Sequence, residues 1–318
     1  MIISVTLNAA MDRTVAVPNF RQGHKHRSVE SRTVPGGKGI NVARALRLLG
    51  RPVIATGLAG GATGDGVLAQ LTEESLLTDF IRIAEETRIN LAVIDPTSNE
   101  QTEINERGPH VRPEELDAFV KRLDYLAGGA TICVLAGSLP PGVDVNTYNR
   151  LVTNLRQRGI TVLLDAEGDA MFSGMRAGPD MVTPNQLEAE ELVGHEFESR
   201  DEVFTALSEL IEMGPSEAAI TLPEGCVAVV GDGPERRMVE LTIDPLDPIS
   251  TVGSGDAFVA GYVAALYDGH SPEQCLSYGV ACGAESTQHL GAGWLDRSRV
   301  ESLLDDVQVR RVEIPAEV

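Results

Sequence analysis

The sequence predicts an α/β protein: a doubly wound, mostly parallel sheet flanked by helices, with a small β-sheet lid. Short apolar runs alternate with segments of helical period along most of the chain, which is typical of this class. Two stretches instead show β periodicity with no helix between their short segments, and they predict the lid. The 318 residues suffice for one large domain or for two modest ones, and we take 1–318 as a single domain.

The strands of the main sheet are predicted from short apolar runs. The first run, Ile2–Leu7, lacks a basic flank and is too short for a signal peptide or a membrane span, so it predicts a buried strand. Six later runs predict the remaining strands: Val53–Leu58, Thr131–Ala136, Thr161–Asp165, Met181–Thr183, Ala218–Leu222 and Cys226–Val230.

Eight segments of helical period lie among these runs and predict the outer layers: Gly37–Leu49, Asp65–Leu77, Pro113–Ala127, Val145–Gln157, Gln186–Val193, Glu202–Met213, Gly255–Tyr267 and Pro272–His289. Ligands of doubly wound folds bind at the carboxyl ends of the strands, so we expect the functional site there.

The lid is predicted over residues 12–34 and 88–108, which contain short alternating segments such as Asn90–Ile94. We expect the two stretches to form a small antiparallel sheet beside the main domain. Such a sheet can close over a ligand, and its exposed face can form a dimer interface. The sequence therefore predicts a homodimer that associates through the lid.

Charge excludes several classes of partner. The formal net charge is −21, so the summed field repels nucleic acids and anionic membranes. Lysine is scarce, with only Lys25, Lys38 and Lys121 in the chain. An anionic substrate must therefore be attracted by a few local cations and aligned backbone N–H groups, which draws attention to Lys38.

The cysteines indicate no metal site. Cys133, Cys226, Cys275 and Cys282 form no CxxC pair and no cluster with zinc spacing. The last two share one face of a predicted helix, where a place in the core is the simpler interpretation. A reducing cytoplasm is the simplest setting for such a protein.

The motif with the clearest chemistry is Thr251–Phe258, which opens an apolar helix. Gly253 and Gly255 allow a tight turn whose N–H groups point at one spot, and the helix dipole adds positive potential there. Asp256 at the mouth of such an anion hole can accept a hydroxyl proton. The alternative is an ordinary strand–helix turn with an aspartate cap.

A second glycine motif, Pro35–Ala43, also opens a helix. It is not a Walker A loop, because Lys38 lacks the preceding GxxxxG and no Ser or Thr follows it. Three glycines and a lysine at a helix start suit close approach to a substrate hydroxyl or phosphate. A tight turn with a surface lysine is the alternative.

A third motif, Thr183–Glu188, places Asn185 and Glu188 on one face at a helix start. The pair suits Mg²⁺ bound through water, as is usual beside nucleotide phosphates. It equally suits a capping box, in which each side chain bonds the other residue's backbone N–H. Both roles can coexist.

These three motifs occur in the same order and spacing as in the PfkB, or ribokinase-like, carbohydrate kinases, and the resemblance spans essentially the whole chain. Within that family the chain is most similar to the branch of 1-phosphofructokinases and tagatose-6-phosphate kinases. Four further segments carry this similarity: Thr6–Thr14, Thr87–Asn90, Thr102–Pro109 and Ala136–Gly142.

The resemblance implies a ribokinase-like fold and a site with three groups of residues. The catalytic group comprises Asp256 as general base and the backbone of Gly253, Ser254 and Gly255 as anion hole. The resemblance implies that substrate hydroxyls bind Asp12, Gly37 and Asn41. It implies that the phosphate already on the substrate binds Lys38, Arg88 and Ser138. ATP and Mg²⁺ are implied at Asn185, Glu188, Thr221, Gly225, Thr251 and Gly283, with the metal held by Glu188 and Asn185 through water.

Three positions extend or depart from the family pattern. Arg27, in the predicted lid, is a candidate for reaching a sugar phosphate across a dimer. Pro223 stands in the nucleotide loop where the family usually has glycine, and proline removes an N–H. Glu285 is a carboxylate near the expected adenine site.

The implied activity is ATP-dependent phosphorylation of a ketohexose monophosphate, with fructose 1-phosphate as first candidate and tagatose 6-phosphate or fructose 6-phosphate as alternatives. A kinase for an unphosphorylated sugar or nucleoside is a further possibility, as is a catalytically silent sugar-phosphate sensor. The glycines of 57–66 suggest a dinucleotide oxidoreductase, but no GxGxxG follows the first strand.

Overall fold

The main sheet forms the centre of the molecule. A computed structural model describes residues 1–312 except 99, 232 and 245. Over this range the sheet comprises β1 (Ile2–Thr6), β4 (Val53–Gly60), β5 (Leu77–Ile83), β8 (Ile132–Ala136), β9 (Thr161–Asp165), β10 (Met181–Val182), β11 (Glu217–Leu222), β12 (Gly225–Val230), β13 (Arg237–Thr242) and β14 (Gln308–Val312).

Its strand order is β14-β13-β12-β11-β10-β9-β8-β1-β4-β5. Every neighbouring pair from β11 to β5 is parallel, whereas β11 to β14 pair antiparallel. The order changes direction between β1 and β8, since β4 and β5 follow on one side of β1 and β8 to β11 on the other. This creates a switch point at the carboxyl edge of the sheet. The predicted fold class is confirmed, although the sequence patterns did not identify β5, β13 or β14.

The lid is a separate sheet of β2 (Ala10–Ala16), β3 (Glu30–Gly36), β6 (Arg88–Asp95) and β7 (Glu100–Ile104), in the order β3-β2-β6-β7. Its outer pairs are antiparallel, but its central pair, β2 and β6, is parallel. The prediction of an antiparallel sheet was wrong in this respect. Both central strands continue from parallel strands of the main sheet, β1 and β5, so they enter the lid in the same direction.

Helices cover both faces of the main sheet. They are α1 (Lys38–Leu48), α2 (Gly61–Glu73), α3 (Pro113–Ala127), α4 (Thr147–Gln157), α5 (Gly168–Met175), α6 (Gln186–Val193), α7 (Arg200–Glu212), α8 (Ser254–Tyr267), α9 (Pro272–Ser286) and α10 (Arg297–Leu303). We had not predicted α5 or α10. Helix α2 ends before β5, which begins at Leu77, so the expected helix Asp65–Leu77 was placed too late. Within the described ranges, none of the helices is both long and apolar enough to cross a membrane.

Two hydrophobic cores lie on opposite faces of the sheet, because successive side chains of a strand alternate in direction. Ile2 of β1 packs into the core beneath α1, α8 and α9, whereas Ile3 packs into the core beneath α3, α4 and α7. The four cysteines are buried and free, which confirms the core positions predicted for Cys275 and Cys282. Ser4 Oγ donates to the carbonyl of Gly39 at 2.7 Å, which ties the start of α1 to β1.

Candidate active site

The glycine turn before α8 is held in place by a tight backbone contact. Gly253 is the N-cap of α8 and has φ 81°, a left-handed conformation that favours glycine. A Cβ at this position would also collide with Ala292, whereas a Cβ on Gly255 would meet open space. The first-turn N–H groups of Gly255 and Asp256 have no acceptor within the helix. The turn therefore presents free N–H donors and the positive end of the helix dipole to an open volume, as an anion site requires. We call residues 253–256 the anion turn.

Asp256 lies in this first turn and is largely buried, with 7% of its surface exposed. Asn41 of α1 donates from Nδ2 to Asp256 Oδ2 at 2.8 Å. Burial, reinforced by the nearby charge of Asp165, raises the pKa of Asp256 to about 7, although Lys38 and the Asn41 hydrogen bond oppose the shift. A carboxyl group with such a pKa can exchange a proton with a substrate near neutral pH.

Next to this carboxylate is a cavity of about 260 Å³ between the lid and the main domain. Asn41 joins the two, because it lines the cavity and bonds Asp256. The lining residues that we had predicted for substrate are Asp12, Gly37, Lys38, Asn41 and Arg88. Asn41 Oδ1 is buried with no hydrogen-bond partner among the described residues, so it is available to a ligand hydroxyl.

Asp12 reaches the cavity from β2 and pairs with Asn90 of β6, whose Nδ2 donates to Asp12 Oδ1 at 2.8 Å. Burial raises the pKa of Asp12, while the Asn90 hydrogen bond and the charge of Arg88 oppose this. Asn90 also lines the cavity, and its Oδ1 lacks a partner in the described structure. Asn90 belongs to a segment that resembles the family, but the sequence predicts no role for it, because only the parallel β2–β6 register places it opposite Asp12.

Arg88 and Ser138 belong to one cluster through Asn8, which the sequence analysis missed. Arg88 donates to the carbonyls of Asn8 at 3.2 Å and Glu106 at 2.9 Å, and burial lowers the pKa of its guanidinium. Asn8 Nδ2 donates to Ser138 Oγ at 3.1 Å. These residues lie at the ends of separate strands and loops, so no short motif could have linked them.

Lys38 occupies a centre of negative charge. Its Nζ lies 3.1 Å from Asp165, 3.1 Å from Glu188 and 3.6 Å from Glu167. Burial alone would lower the pKa of Lys38, but these carboxylates outweigh it and raise the pKa. Asp165 and Glu167 had not been predicted as site residues. The available signal was the position of Asp165 at the carboxyl end of a predicted strand.

Asn185 and Glu188 form the expected capping box at the start of α6. Glu188 N donates to Asn185 Oδ1 and Asn185 N donates to Glu188 Oε2, both at 2.9 Å. Thr221 lies beside them, since its N–H donates to the carbonyl of Pro184 at 3.0 Å. The side chains of Asn185 and Glu188 are thus both hydrogen-bonded to backbone N–H groups. This geometry suits water-mediated rather than direct contact with a metal.

The hard oxygen donors of Asp165, Glu167 and Glu188 are the type that Mg²⁺ prefers, and they surround a single cation, Lys38. Among the described residues, no group of three His, Cys, Asp or Glu side chains is arranged as a ready metal cage. The three carboxylates are thus of the type that can hold a magnesium ion through its water molecules.

The remaining nucleotide candidates fall into two groups. The carbonyl of Thr251 accepts a hydrogen bond from Ser254 N at 3.3 Å, and a Cβ on Gly283 would lie 3.4 Å from the Ser254 carbonyl, so both border the anion turn. Gly225 instead begins β12 after a hairpin that contains Pro223, and a Cβ there would collide with Leu241. Contact with β13 thus explains this glycine without a ligand.

Two further residues singled out in the sequence are Glu285, which departs from the family pattern, and Arg27, a candidate for reaching a sugar phosphate. Glu285 is fully buried and bonds His289 Nε2 at 2.9 Å and Asp296 N at 3.1 Å, so it fastens the end of α9 to the start of α10. Arg27 is exposed in the loop between β2 and β3.

Comparison with known proteins adds independent information. Residues 3–296 match the model of the "pfkB family carbohydrate kinase". The chain is 32% identical over 318 residues to the 1-phosphofructokinase of Bacillus subtilis, which covers 98% of this chain and 100% of the relative. It is 30% identical over 284 residues to the 1-phosphofructokinase of Borreliella burgdorferi, covering 89% of this chain and 90% of the relative.

A solved structure from Thermotoga maritima, described as a possible 1-phosphofructokinase, superposes on the chain with a TM-score of 0.89. Its sequence identity is 26%, and the superposition covers 98% of this chain and 100% of that one. The similarity therefore extends over the main sheet and the lid alike.

Proposed function

Because the chain belongs to the pfkB family of carbohydrate kinases, we propose that it is a 1-phosphofructokinase. It transfers the γ-phosphoryl group of ATP to the free primary hydroxyl of fructose 1-phosphate. The observation that carries this proposal is the buried Asp256 carboxylate at the N-terminus of α8, which Asn41 joins to the cavity under the lid.

In the proposed reaction, Asp256 accepts the proton of the substrate hydroxyl as the hydroxyl oxygen bonds to the γ-phosphorus. The bond from that phosphorus to the leaving oxygen of ADP breaks in the same displacement. The N–H groups of Gly255 and Asp256 and the dipole of α8 stabilise the charge on the transferred group. Asn41, which lines the cavity, holds the Asp256 carboxylate through the hydrogen bond from its Nδ2.

Magnesium neutralises phosphate charge when it is bound with ATP. The residues that would hold it are Asn185 and Glu188 through water, with Asp165 and Glu167 close by. Lys38, which is paired with the carboxylates of Asp165, Glu167 and Glu188, remains a candidate for contact with the substrate phosphate or the transferred group. Thr221, Thr251 and Gly283 remain the candidates for the nucleotide, whereas the steric need for glycine at Gly225 weakens its assignment.

Arg88 and Ser138, joined by Asn8, are the proposed site for the phosphate already on the sugar. Asp12 and Asn90 then bind sugar hydroxyls, because a carboxylate and an amide oxygen accept hydrogen bonds in the cavity. The phosphate of the sugar would thus bind at one end of the site and Asp256 would lie at the other end. This arrangement favours a ketohexose with a phosphate and a free primary hydroxyl at opposite ends.

We further propose a homodimer that forms through the lid, in the cytoplasm. Apolar side chains on the lid and its loop are exposed, namely Val29, Ile89 and Ile104. Burial of such a surface in a partner would be favourable. In that arrangement Arg27 could approach the partner's sugar phosphate. The free, buried cysteines are compatible with a reducing compartment.

A coupled assay of ADP release tests the proposed function. The substrates are fructose 1-phosphate, tagatose 6-phosphate, fructose 6-phosphate and fructose, each with ATP and with GTP. We expect the highest kcat/KM for fructose 1-phosphate with ATP. A preference for another sugar would reassign the substrate, and absence of sugar-stimulated ADP release in every pairing would overturn the kinase proposal.

A further inference from the structure

One cluster outside the proposed catalytic groups joins the lid to the anion turn. It consists of Arg32, Trp294 and Arg44, which we call the arginine–tryptophan bridge. The guanidinium carbon of Arg32 lies 5.2 Å from the Trp294 ring centroid, and that of Arg44 lies 5.4 Å from it. Two cations on one aromatic ring form a specific contact, because each is attracted by the ring quadrupole.

The two arginines come from different parts of the molecule. Arg32 is an exposed residue of β3 in the lid, whereas Arg44 is a fully buried residue of α1. Arg44 is fixed by Glu74, with hydrogen bonds of 2.8 and 2.7 Å. The bridge thus has an immobile end in the main domain and an end that belongs to the lid.

Both arginines also bind the backbone beside the tryptophan. Arg32 Nη1 donates to the carbonyl of Leu290 at 2.8 Å, and Arg44 Nη1 donates to the carbonyl of Ala292 at 2.9 Å. The segment 290–294 is therefore held from two sides. Gly293 fits closely within it, because a Cβ there would collide with Arg44.

This segment touches both parts of the proposed site. Gly291 and Ala292 line the cavity under the lid, and Ala292 is the residue that leaves no room for a Cβ on Gly253. The position of 290–294 therefore constrains the anion turn. On the lid side, Arg32 is opposite Thr14, two residues along β2 from Asp12, so a sugar held by Asp12 fixes the strand pair that carries Arg32.

We infer that Arg32 is a positioning residue that couples sugar binding in the lid to the geometry of the anion turn. The inference rests on the proposed function, since it assumes that the Gly253–Asp256 turn receives the transferred phosphoryl group. Arg32 does not line the cavity itself, and it acts through the 290–294 segment. Loss of its contacts should leave substrate affinity nearly intact and slow the chemical step.

The first test is a kinetic comparison of native protein with Arg32→Ala, Arg32→Lys and the control Arg21→Ala, which removes an exposed arginine from the loop between β2 and β3. We expect Arg32→Ala to lower kcat about tenfold, which corresponds to about 1.4 kcal/mol, with KM for fructose 1-phosphate within about twofold of native. Lysine retains a cation and a donor, so Arg32→Lys should recover most of the lost kcat. Arg21→Ala should match native protein.

The second test uses Trp294, the single tryptophan of the chain, as a reporter. Addition of fructose 1-phosphate should change the tryptophan emission of native protein and of Arg21→Ala. The change should be largely abolished in Arg32→Ala, whose thermal midpoint should remain near that of native protein because Arg32 is exposed.

The inference is overturned if Arg32→Ala retains native kcat and the native emission change, or if its kcat falls only in step with a lower thermal midpoint. A native protein without activity toward any sugar phosphate would instead contradict the proposed function. The two failures are therefore distinguishable.

Discussion

The central strand β1 and the lid strand β7 are opposite extremes of the same chain. All five residues of β1 are buried, and all five residues of β7 are exposed. Asp256 and its partner Asn41 lie on the buried side of this contrast, near the starts of α8 and α1, whereas Asp12 and Arg88 come from the lid. Buried, closely packed elements suit the precise placement of a base and an anion turn, while an exposed sheet can move over a substrate.

This contrast predicts that kcat and KM depend on different parts of the molecule. Substitutions around α8 should act mainly on kcat, and substitutions of the lid residues that line the cavity should act mainly on KM for the sugar. Arg32 is the exception within the lid, because it contacts the 290–294 segment rather than the cavity.

The largest effect is expected from Asp256→Asn. The amide keeps the shape and the Asn41 contact but cannot accept the hydroxyl proton, so kcat should fall by about 10²–10⁴ while both KM values change little. Steady-state kinetics of the variant, with the exposed Asp117→Asn as control, provide the measurement. A kcat close to native would remove Asp256 from the role of base.

Gly253→Ala should have the next largest effect, because the added methyl group must displace Ala292 at a left-handed position. We expect kcat to fall by about 10²-fold through misplacement of the anion turn. Gly194→Ala is the matched control, since Gly194 has φ 86° at the end of α6 and open space around its missing Cβ. Equal kcat losses in both variants would mean that backbone strain alone is responsible.

Arg88→Ala tests the lid side of the comparison. The loss of charged donors to a sugar phosphate should raise KM for fructose 1-phosphate by about tenfold or more, with kcat nearly unchanged. Arg82→Ala, which removes an exposed arginine from β5, should leave both parameters at native values. A fall in kcat without a rise in KM for Arg88→Ala would contradict the proposed division between effects on kcat and on KM.

The smallest expected effect concerns stability. Because the pKa of Asp256 is raised in the folded state, folding favours its protonated form, and this contribution to stability is lost as pH rises from about 4 through about 7. Asp256→Asn has no such charge to bury. Its thermal midpoint should exceed that of native protein above about pH 7 and approach it near pH 4. A variant less stable than native at high pH would show that burial of the charge has no such cost.

Much of the site could be predicted from sequence because its motifs are local. The glycine turn with Asp256 and the capping box of Asn185 and Glu188 each lie within four residues, so backbone rules suffice to interpret them. The same local rules place Gly37 and Lys38 at the start of α1.

The contacts that sequence reasoning missed join residues far apart in the chain. Asp165 meets Lys38 only because β9 ends and α1 begins at the same edge of the sheet, and Asn90 meets Asp12 only through the parallel pairing of β2 with β6. Lys38 was predicted to bind the substrate phosphate, and the three carboxylates around it were not predicted. Strand order and register fix such contacts, and neither is set by local propensity.

The pH dependence of kcat/KM for fructose 1-phosphate tests directly whether Asp256 is the catalytic base. If Asp256 is the base and its burial raises its pKa to about 7, kcat/KM should climb with pH and level off above about 7. Since the substrate phosphate itself titrates near pH 6, the binding of fructose 1-phosphate to Asp256→Asn over the same range gives the substrate's contribution alone. A kcat/KM profile that follows this binding curve, with no further rise toward neutral pH, would contradict the assignment of Asp256 as the catalytic base.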